Sequence, residues 1–167
     1  MQDYIKLVEF SRGFSLVEMM IVLAIIGLLA LVVVPFTRSW IEEADVKEAI
    51  SSLEVAYGTA KGLALRNPLL AGETPSGAKE PAAGIKVSPG LLLICQGDPE
   101  SASCSPAGQN RISSYRVPDG VTININGSLL SVQRIDNTGQ SIDGSGQAIP
   151  LSYSVTKGSI TYVGEIR

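Results

Sequence analysis

The stretch from Gly13 to Val34 most constrains how this chain can fold. Between Phe14 and Val34 the sequence carries a single charged residue, Glu18. As a helix rising about 1.5 Å per residue, this run covers roughly 30 Å, the thickness of a bilayer's hydrocarbon core. An acidic side chain costs about 2.5 to 3.5 kcal/mol at the centre of such a span, and less near an end. The run contains no lysine or arginine, so a cationic partner for Glu18 must come from another chain or from an N-terminal amine.

The residues around this acid carry a family resemblance. The junction Gly13-Phe14, the glutamate at the fifth position counted from Phe14, and the apolar run resemble the class III signal of type IV pilins and type II secretion pseudopilins. The resemblance implies that a prepilin peptidase cleaves between Gly13 and Phe14 and methylates the amine of Phe14. It also implies that Glu18 pairs with a neighbouring subunit's amine during assembly, and that Pro35 bends the helix. Alternatively, Glu18 lies in the headgroup region of an ordinary membrane anchor.

The periodicity of the following residues predicts that the helix continues beyond the apolar run. Apolar side chains recur at three- and four-residue steps from Val46 to Ala64, and Asn67-Pro68 predicts the helix end, because a residue before proline avoids helical geometry. We expect Gly58 and Gly62 to weaken this helix and to permit close approach of a strand. The predicted segments are a leader, a transmembrane and assembly helix, an amphipathic helix half and a β-rich globular domain (residues 1–13, 14–36, 37–67 and 68–167).

The globular domain shows the signals of short strands separated by turns, so the fold class is α+β: a long N-terminal helix packed on an antiparallel sheet. Asn126-Gly127 predicts a β-hairpin. The Pro- and Gly-rich residues 68–84 predict an exposed, mobile loop. The predicted strands are Ile85–Ser88, Leu91–Gln96, Ser113–Val117, Val121–Asn126, Leu129–Ile135, Ile149–Thr156 and Ser159–Ile166.

The composition argues against catalysis. The chain has no histidine, which removes the commonest general base and the commonest metal ligand. We therefore predict no enzyme, no catalytic residue and no cofactor. Cys95 and Cys104 predict a disulfide in an oxidising compartment, with a reactive thiol or a metal site as alternatives. Asp136, Asn137 and Asp143 could supply oxygen ligands to calcium, although their spacing does not match an EF-hand loop, and such residues also cap turns.

Three later segments resemble GspH/FimT-type minor pilins: residues 59–67, 135–140 and 160–167. In that subgroup some members take part in DNA uptake, which the resemblance attributes to a basic Gly-Arg-x-Arg ending. Here the matching stretch is Gly164-Glu165-Ile166-Arg167, with an acid in place of a cation. The net charge of −3 also opposes polyanion binding, so we do not predict nucleic-acid contact, although Arg111, Arg116 and Arg134 could cluster.

The sequence thus predicts a minor subunit of a type IV pilus or type II secretion pseudopilus, located in the tip or initiation complex. Its partners would be prepilin peptidase, other major and minor pilins through their N-terminal helices, and inner-membrane lipid before assembly. We expect a single pass through the inner membrane, with the C-terminal domain in the periplasm. A signal-anchored periplasmic binding or catalytic domain, or a DNA-uptake pilin that contacts DNA, remains an alternative.

Overall fold

The computed structural model describes residues 13–127 and 132–166, without the side chains of residues 32–36. The predicted leader up to Arg12 lies outside the described residues. A long helix, α1, spans Leu16–Arg66, and the chain divides into two compact units between Ser39 and Trp40. Among the described residues, no helix is long and apolar enough to cross a membrane. The bend expected at Pro35 remains a prediction.

The β-strands follow the helix and form two antiparallel sheets, which confirms the predicted α+β class. The five-stranded sheet has the order β3-β2-β1-β5-β6, and the three-stranded sheet has the order β4-β7-β8. Within the described ranges the strands are β1 (Ala83–Ser88), β2 (Leu91–Gln96), β3 (Arg111–Arg116), β4 (Thr122–Ile125), β5 (Val132–Ile135), β6 (Ser141–Ile142), β7 (Leu151–Lys157) and β8 (Ile160–Ile166).

The second half of α1 buries one face against both sheets. Its inner residues include Val46, Leu53 and Tyr57, which share one hydrophobic cluster with Ile85 of β1 and Val155 of β7. Alanines fill the remaining inner positions of this face. They are Ala49, Ala56, Ala60 and Ala64, and each is fully buried.

No strand of the described chain approaches the two helical glycines closely, so that part of the expectation is wrong. A Cβ atom at Gly58 or Gly62 would meet nothing within 4 Å, so both face open space instead of a strand. The end of the helix agrees with the sequence, because α1 ends at Arg66 and Asn67 takes a left-handed conformation with φ 44°.

The strand predicted to follow the Asn126-Gly127 turn lies largely outside the described residues, so the hairpin remains a prediction. Both residues have positive φ, as this dipeptide favours. Among the described residues, β4 pairs with β7 in one sheet, whereas β5 pairs with β1 and β6 in the other. The Asn126 side chain accepts a hydrogen bond from the Ser152 amide at 3.0 Å and donates one to Gln133 at 2.7 Å, which ties the turn to both sheets.

A disulfide loop covers the outer face of the five-stranded sheet. Alternate residues of β2 point to opposite faces, and Leu93 and Cys95 form a second buried cluster with Cys104, away from the helix. The chain between the two cysteines approaches β1 at Gly84, where a Cβ atom would lie 2.6 Å from Pro99 Cδ. This loop is therefore a structural layer on the sheet.

The connection from α1 to β1 carries its own hydrogen-bonded structure, unlike the mobile loop that its composition predicts. The Asn67 side chain forms two hydrogen bonds, of 2.7 and 2.8 Å, with the backbone of Ala71. An isolated bridge joins Glu73 to Lys79, and Lys79 pairs with Asp136 at 2.5 Å. The connection is thus fixed to the turn after β5 by a contact 57 residues away in sequence.

Candidate assembly segment at the N-terminus

The chain enters α1 through a short segment without regular structure, Gly13–Ser15. The first helical hydrogen bond runs from the Met19 amide to the Ser15 carbonyl at 3.1 Å, so Ser15 occupies the cap position. Gly13 is exposed, and a Cβ atom there would meet nothing within 4 Å. Nothing in the described fold therefore requires glycine at position 13, and a requirement for it would have to come from an external partner.

Glu18 lies in the first turn of α1 and is exposed. No hydrogen bond or ion pair connects its carboxylate to another residue within 13–127 and 132–166. The positive end of the helix macrodipole favours an acid at this position. In addition, Ser15-Leu16-Val17-Glu18 has the pattern of a capping box, a sequence signal for the helix start that hydropathy alone does not reveal.

Phe14 lies before the first helical residue, Leu16. Phe14 precedes the cap residue Ser15, and Met19 is the fourth helical residue. Apolar residues at these two positions are typical of the hydrophobic staple that fixes how a chain enters a helix. Phe14 is nevertheless 76% exposed, so most of its ring is available for contact with another molecule.

The N-terminal part of α1 exposes apolar side chains on all sides. Thirteen large apolar residues between positions 14 and 31 are exposed, from 43% for Val22 to 77% for Leu16. A continuous apolar surface of this extent marks contact with other protein or with lipid. The exposed residues are Phe14, Leu16, Val17, Met19, Met20, Ile21, Val22, Leu23, Ile25, Ile26, Leu28, Leu29 and Leu31.

The predicted cysteine pair has a structural role and offers no reactive thiol. Cys95 and Cys104 form a disulfide with a Cα–Cα distance of 5.7 Å, and both residues are fully buried. The Lys86 ammonium donates a hydrogen bond of 3.1 Å to the Cys104 carbonyl and closes the loop against β1. Free cysteines are absent from the described ranges.

The candidate calcium ligands stabilise turns instead. Asp136 Oδ1 accepts hydrogen bonds from the Thr138 amide, the Thr138 hydroxyl and the Gln140 amide at 3.0, 2.7 and 2.8 Å, while Oδ2 contacts Lys79. Burial acts to raise the pKa of Asp136, but the hydrogen bonds from Lys79, Thr138 and Gln140 together hold this pKa below its ordinary value. In the part of the chain that the structure describes, no group of three or more acidic, cysteine or histidine side chains could hold a metal.

A second turn repeats this arrangement seven residues later. Asp143 Oδ1 accepts hydrogen bonds from the Ser145 amide, the Ser145 hydroxyl and the Gln147 amide at 2.8, 2.7 and 2.9 Å. The Ser145 hydroxyl is the main cause of the lowered pKa of Asp143. Both turns share the pattern Asp-x-Thr/Ser-Gly-Gln, and in both the aspartate caps a turn, which was the alternative to calcium binding.

The three arginines considered for nucleic-acid contact do not form one basic patch. Arg134 lies on β5 and pairs with Asp98 and Glu100 at 3.0 and 2.8 Å. Arg111 and Arg116 lie on β3, which is separated from β5 by β2 and β1. The Arg134 charge is therefore used inside the molecule, where it holds the disulfide loop against the sheet.

Comparison with known proteins identifies the N-terminal segment. A family profile described as "Prokaryotic N-terminal methylation motif" matches residues 10–34. A curated relative, the type IV major pilin protein PilE1 of Neisseria gonorrhoeae, is 36% identical over 76 residues, which cover 46% of this chain and 36% of the relative. The match thus spans little more than a third of the relative's length, and no solved structure matches the chain. The N-terminal segment is therefore similar to the methylation motif of prokaryotic pilins, and the chain is similar to a type IV pilin over about half of its length.

Proposed function

We propose that this chain is a minor pilin or pseudopilin, a structural subunit that polymerises through its N-terminal helix. The observation that carries the proposal is the exposed apolar surface of residues 14–31, interrupted by one acid, Glu18. A folded domain gains nothing from exposing such a surface to water. Lipid can cover it before assembly, and a bundle of like helices can cover it in a fibre.

Glu18 would direct the order of assembly. A carboxylate that enters an apolar bundle without a cation is strongly disfavoured, whereas one that pairs with an amine is tolerated. Cleavage after Gly13 would create such an amine on Phe14 of each subunit. Pairing between Glu18 of one subunit and the amine of another would then fix the axial register of the two helices.

Processing by a prepilin peptidase explains Gly13 better than the fold does. Since a Cβ atom at position 13 would meet nothing within 4 Å, a larger residue should leave folding intact. We expect Gly13→Leu to accumulate as the uncleaved precursor, visible as a slower band on a gel, with unchanged thermal stability. Efficient cleavage of this variant would remove the proposed role of Gly13.

The assignment as a minor subunit at the tip or in the initiation complex depends on the resemblance of residues 59–67, 135–140 and 160–167 to GspH/FimT-type minor pilins. The curated relative is a major pilin, and its similarity supports a pilin subunit of either kind. Counting copies per fibre by quantitative immunoblotting would decide the point. A copy number close to that of the most abundant subunit would contradict the minor role.

The test of assembly compares two acids on α1. Glu18→Ala should still enter the membrane but fail to join fibres, because its partner's amine loses a counter-charge. Glu48→Ala is the matched control, since Glu48 is exposed on the same helix outside the apolar segment. Sheared fibres should contain the control variant at wild-type level and lack the Glu18 variant; equal incorporation of both would refute the pairing.

Mass spectrometry of the membrane-bound chain separates this proposal from the signal-anchored alternative. A chain that begins at Phe14 with one added methyl group supports the pilin. A chain that begins at Met1 would support the signal-anchored periplasmic domain.

A further inference from the structure

The segment that follows the apolar run carries the chain's single tryptophan, Trp40. Its side chain is 69% exposed on α1, and the neighbouring Ile41 is 55% exposed. Along the helix, the described side chains before Trp40 are all exposed, and the first fully buried residue is Val46. Trp40 therefore lies ahead of the region where the helix is covered by its own domain.

The position of Trp40 in the sequence matches the boundary layer of a bilayer. It lies six residues beyond Val34, which at the helical rise is about 9 Å. A bilayer of 40 to 45 Å with a hydrocarbon core of about 30 Å has interfacial layers roughly 5 to 8 Å thick. Helical side chains tilt toward the N-terminus, so the indole ring falls back from its Cα atom toward the apolar run.

The chemistry of this segment also fits the interface between lipid and water. Tryptophan is enriched there because its ring is apolar while its N–H group requires a polar partner. Arg38, which is exposed, supplies a cation on the membrane side of Trp40, and Glu42 and Glu43 follow on the side of the domain. The cation suits lipid phosphates, and the acids favour water, so the charges have the order that an interfacial segment needs.

We propose that Trp40, with Ile41, anchors the unassembled subunit in the periplasmic headgroup layer of the membrane. The partner is the phospholipid headgroup region, and the anchor sets how far the apolar helix can slide along the bilayer normal. The inference depends on the proposed membrane placement of residues 14–34. It adds a defined depth to that placement, and it predicts that Trp40 leaves the lipid when the subunit joins a fibre.

The test uses the single tryptophan as its own probe. The full chain is reconstituted in vesicles of phosphatidylcholine and phosphatidylglycerol, and flotation in a density gradient first establishes that it is inserted. Tryptophan fluorescence is then quenched with lipids brominated at different acyl positions and, separately, with aqueous acrylamide. We expect the strongest quenching from bromine close to the headgroups, and weak quenching from bromine near the bilayer centre.

The matched control moves the tryptophan along α1. The double variant W40F/L65W places it at Leu65, a position of comparable exposure (61%) in the part of the helix that belongs to the globular domain. Its acrylamide quenching constant should be several-fold larger than that of the unmodified chain, and brominated lipids should not affect it. Moving the ring in this way keeps an aromatic residue at position 40.

The outcomes separate this inference from the proposed function. A chain that fails to float contradicts the membrane placement itself. A chain that floats with Trp40 as accessible to acrylamide as the control refutes only the interfacial anchor. Protection from both acrylamide and brominated lipid would also refute it, because protein would then cover the ring.

Discussion

Replacing Asp136 with alanine should destabilise the globular domain more than any equivalent change in the second Asp turn. Asp136 is fully buried, and its carboxylate receives three hydrogen bonds on Oδ1 and the Lys79 ammonium on Oδ2. These contacts fix the turn after β5 and connect it to the segment between α1 and β1. Asp136→Ala removes all four contacts at once.

The magnitude follows from the burial of the pair. Breaking a buried ion pair costs about 3 to 5 kcal/mol, because the remaining charge stays uncompensated. The Lys79 side chain keeps 28% exposure and can turn toward water, so the lower end of this range applies, about 3 kcal/mol. For a domain of this size one kcal/mol corresponds to about 3 to 5 °C in Tm, so the variant should melt about 10 °C below the parent.

The assay is thermal unfolding of the full chain in detergent, followed by circular dichroism, with two comparison variants. Asp136→Asn keeps an oxygen acceptor for the hydrogen bonds from Thr138 and Gln140, and only its contact with Lys79 becomes unfavourable. It should therefore lose about half as much stability as Asp136→Ala. Asp143→Ala removes the same turn pattern at a partly exposed site, where no lysine pairs with the carboxylate. It should therefore lower Tm less than Asp136→Ala does. Equal Tm losses at Asp136 and Asp143 would refute the reasoning.

The same carboxylate predicts an acid dependence. The pKa of Asp136 is lowered in the folded chain, so the stabilisation from its charged form is complete above the unfolded pKa of about 3.9. It is lost as the pH falls from there through the folded pKa. The parent should therefore lose Tm steeply below about pH 4, and Asp136→Asn should show a shallower decline. Parallel curves for the two proteins would show that Asp136 does not carry the effect.

Three further changes test the packing of the domain. Replacing both Cys95 and Cys104 with alanine should lower the unfolding free energy by about 2 to 3 kcal/mol, and reductant should then have no further effect in denaturant titrations. Tyr57→Phe removes a buried hydrogen bond of 2.8 Å to Ser141 and should cost about 1 kcal/mol in the same titration. Gly84→Ala should lower Tm, because its methyl group would collide with the disulfide loop and with β5; an unchanged Tm would contradict the close approach seen there.

Local signals predicted the elements well. The Asn67-Pro68 dipeptide predicts the helix end at Arg66, and β2 has its predicted bounds, Leu91–Gln96. These features depend on neighbouring residues, which a sequence displays directly. The last two predicted strands are also present as β7 and β8, which pair across a short turn that contains Gly158.

These local signals did not predict contacts between residues that are far apart in the sequence. The local sequence does not indicate that, among the described residues, β4 pairs with β7 while β5 pairs with β1 and β6. Likewise, the Pro and Gly content of residues 68–84 gives no sign that Lys79 will meet Asp136. Such contacts depend on which surfaces the core brings together, and a composition count contains no information about that.

In this chain, the residues that stabilise the fold are different from those proposed to drive assembly. The globular domain buries its own apolar core and pairs Asp136 with Lys79 and Arg134 with two acids. By contrast, residues 14–31 expose their apolar side chains, and Glu18 has no partner among the described residues. Substitutions in the two regions should therefore fail in different ways: Glu18→Ala should keep the parent's Tm and lose fibre incorporation, whereas Asp136→Asn should lower Tm and still assemble at temperatures where it is folded. If Glu18→Ala destabilised the globular domain, this separation would not hold, and the acid would have a folding role beyond the first turn of its own helix.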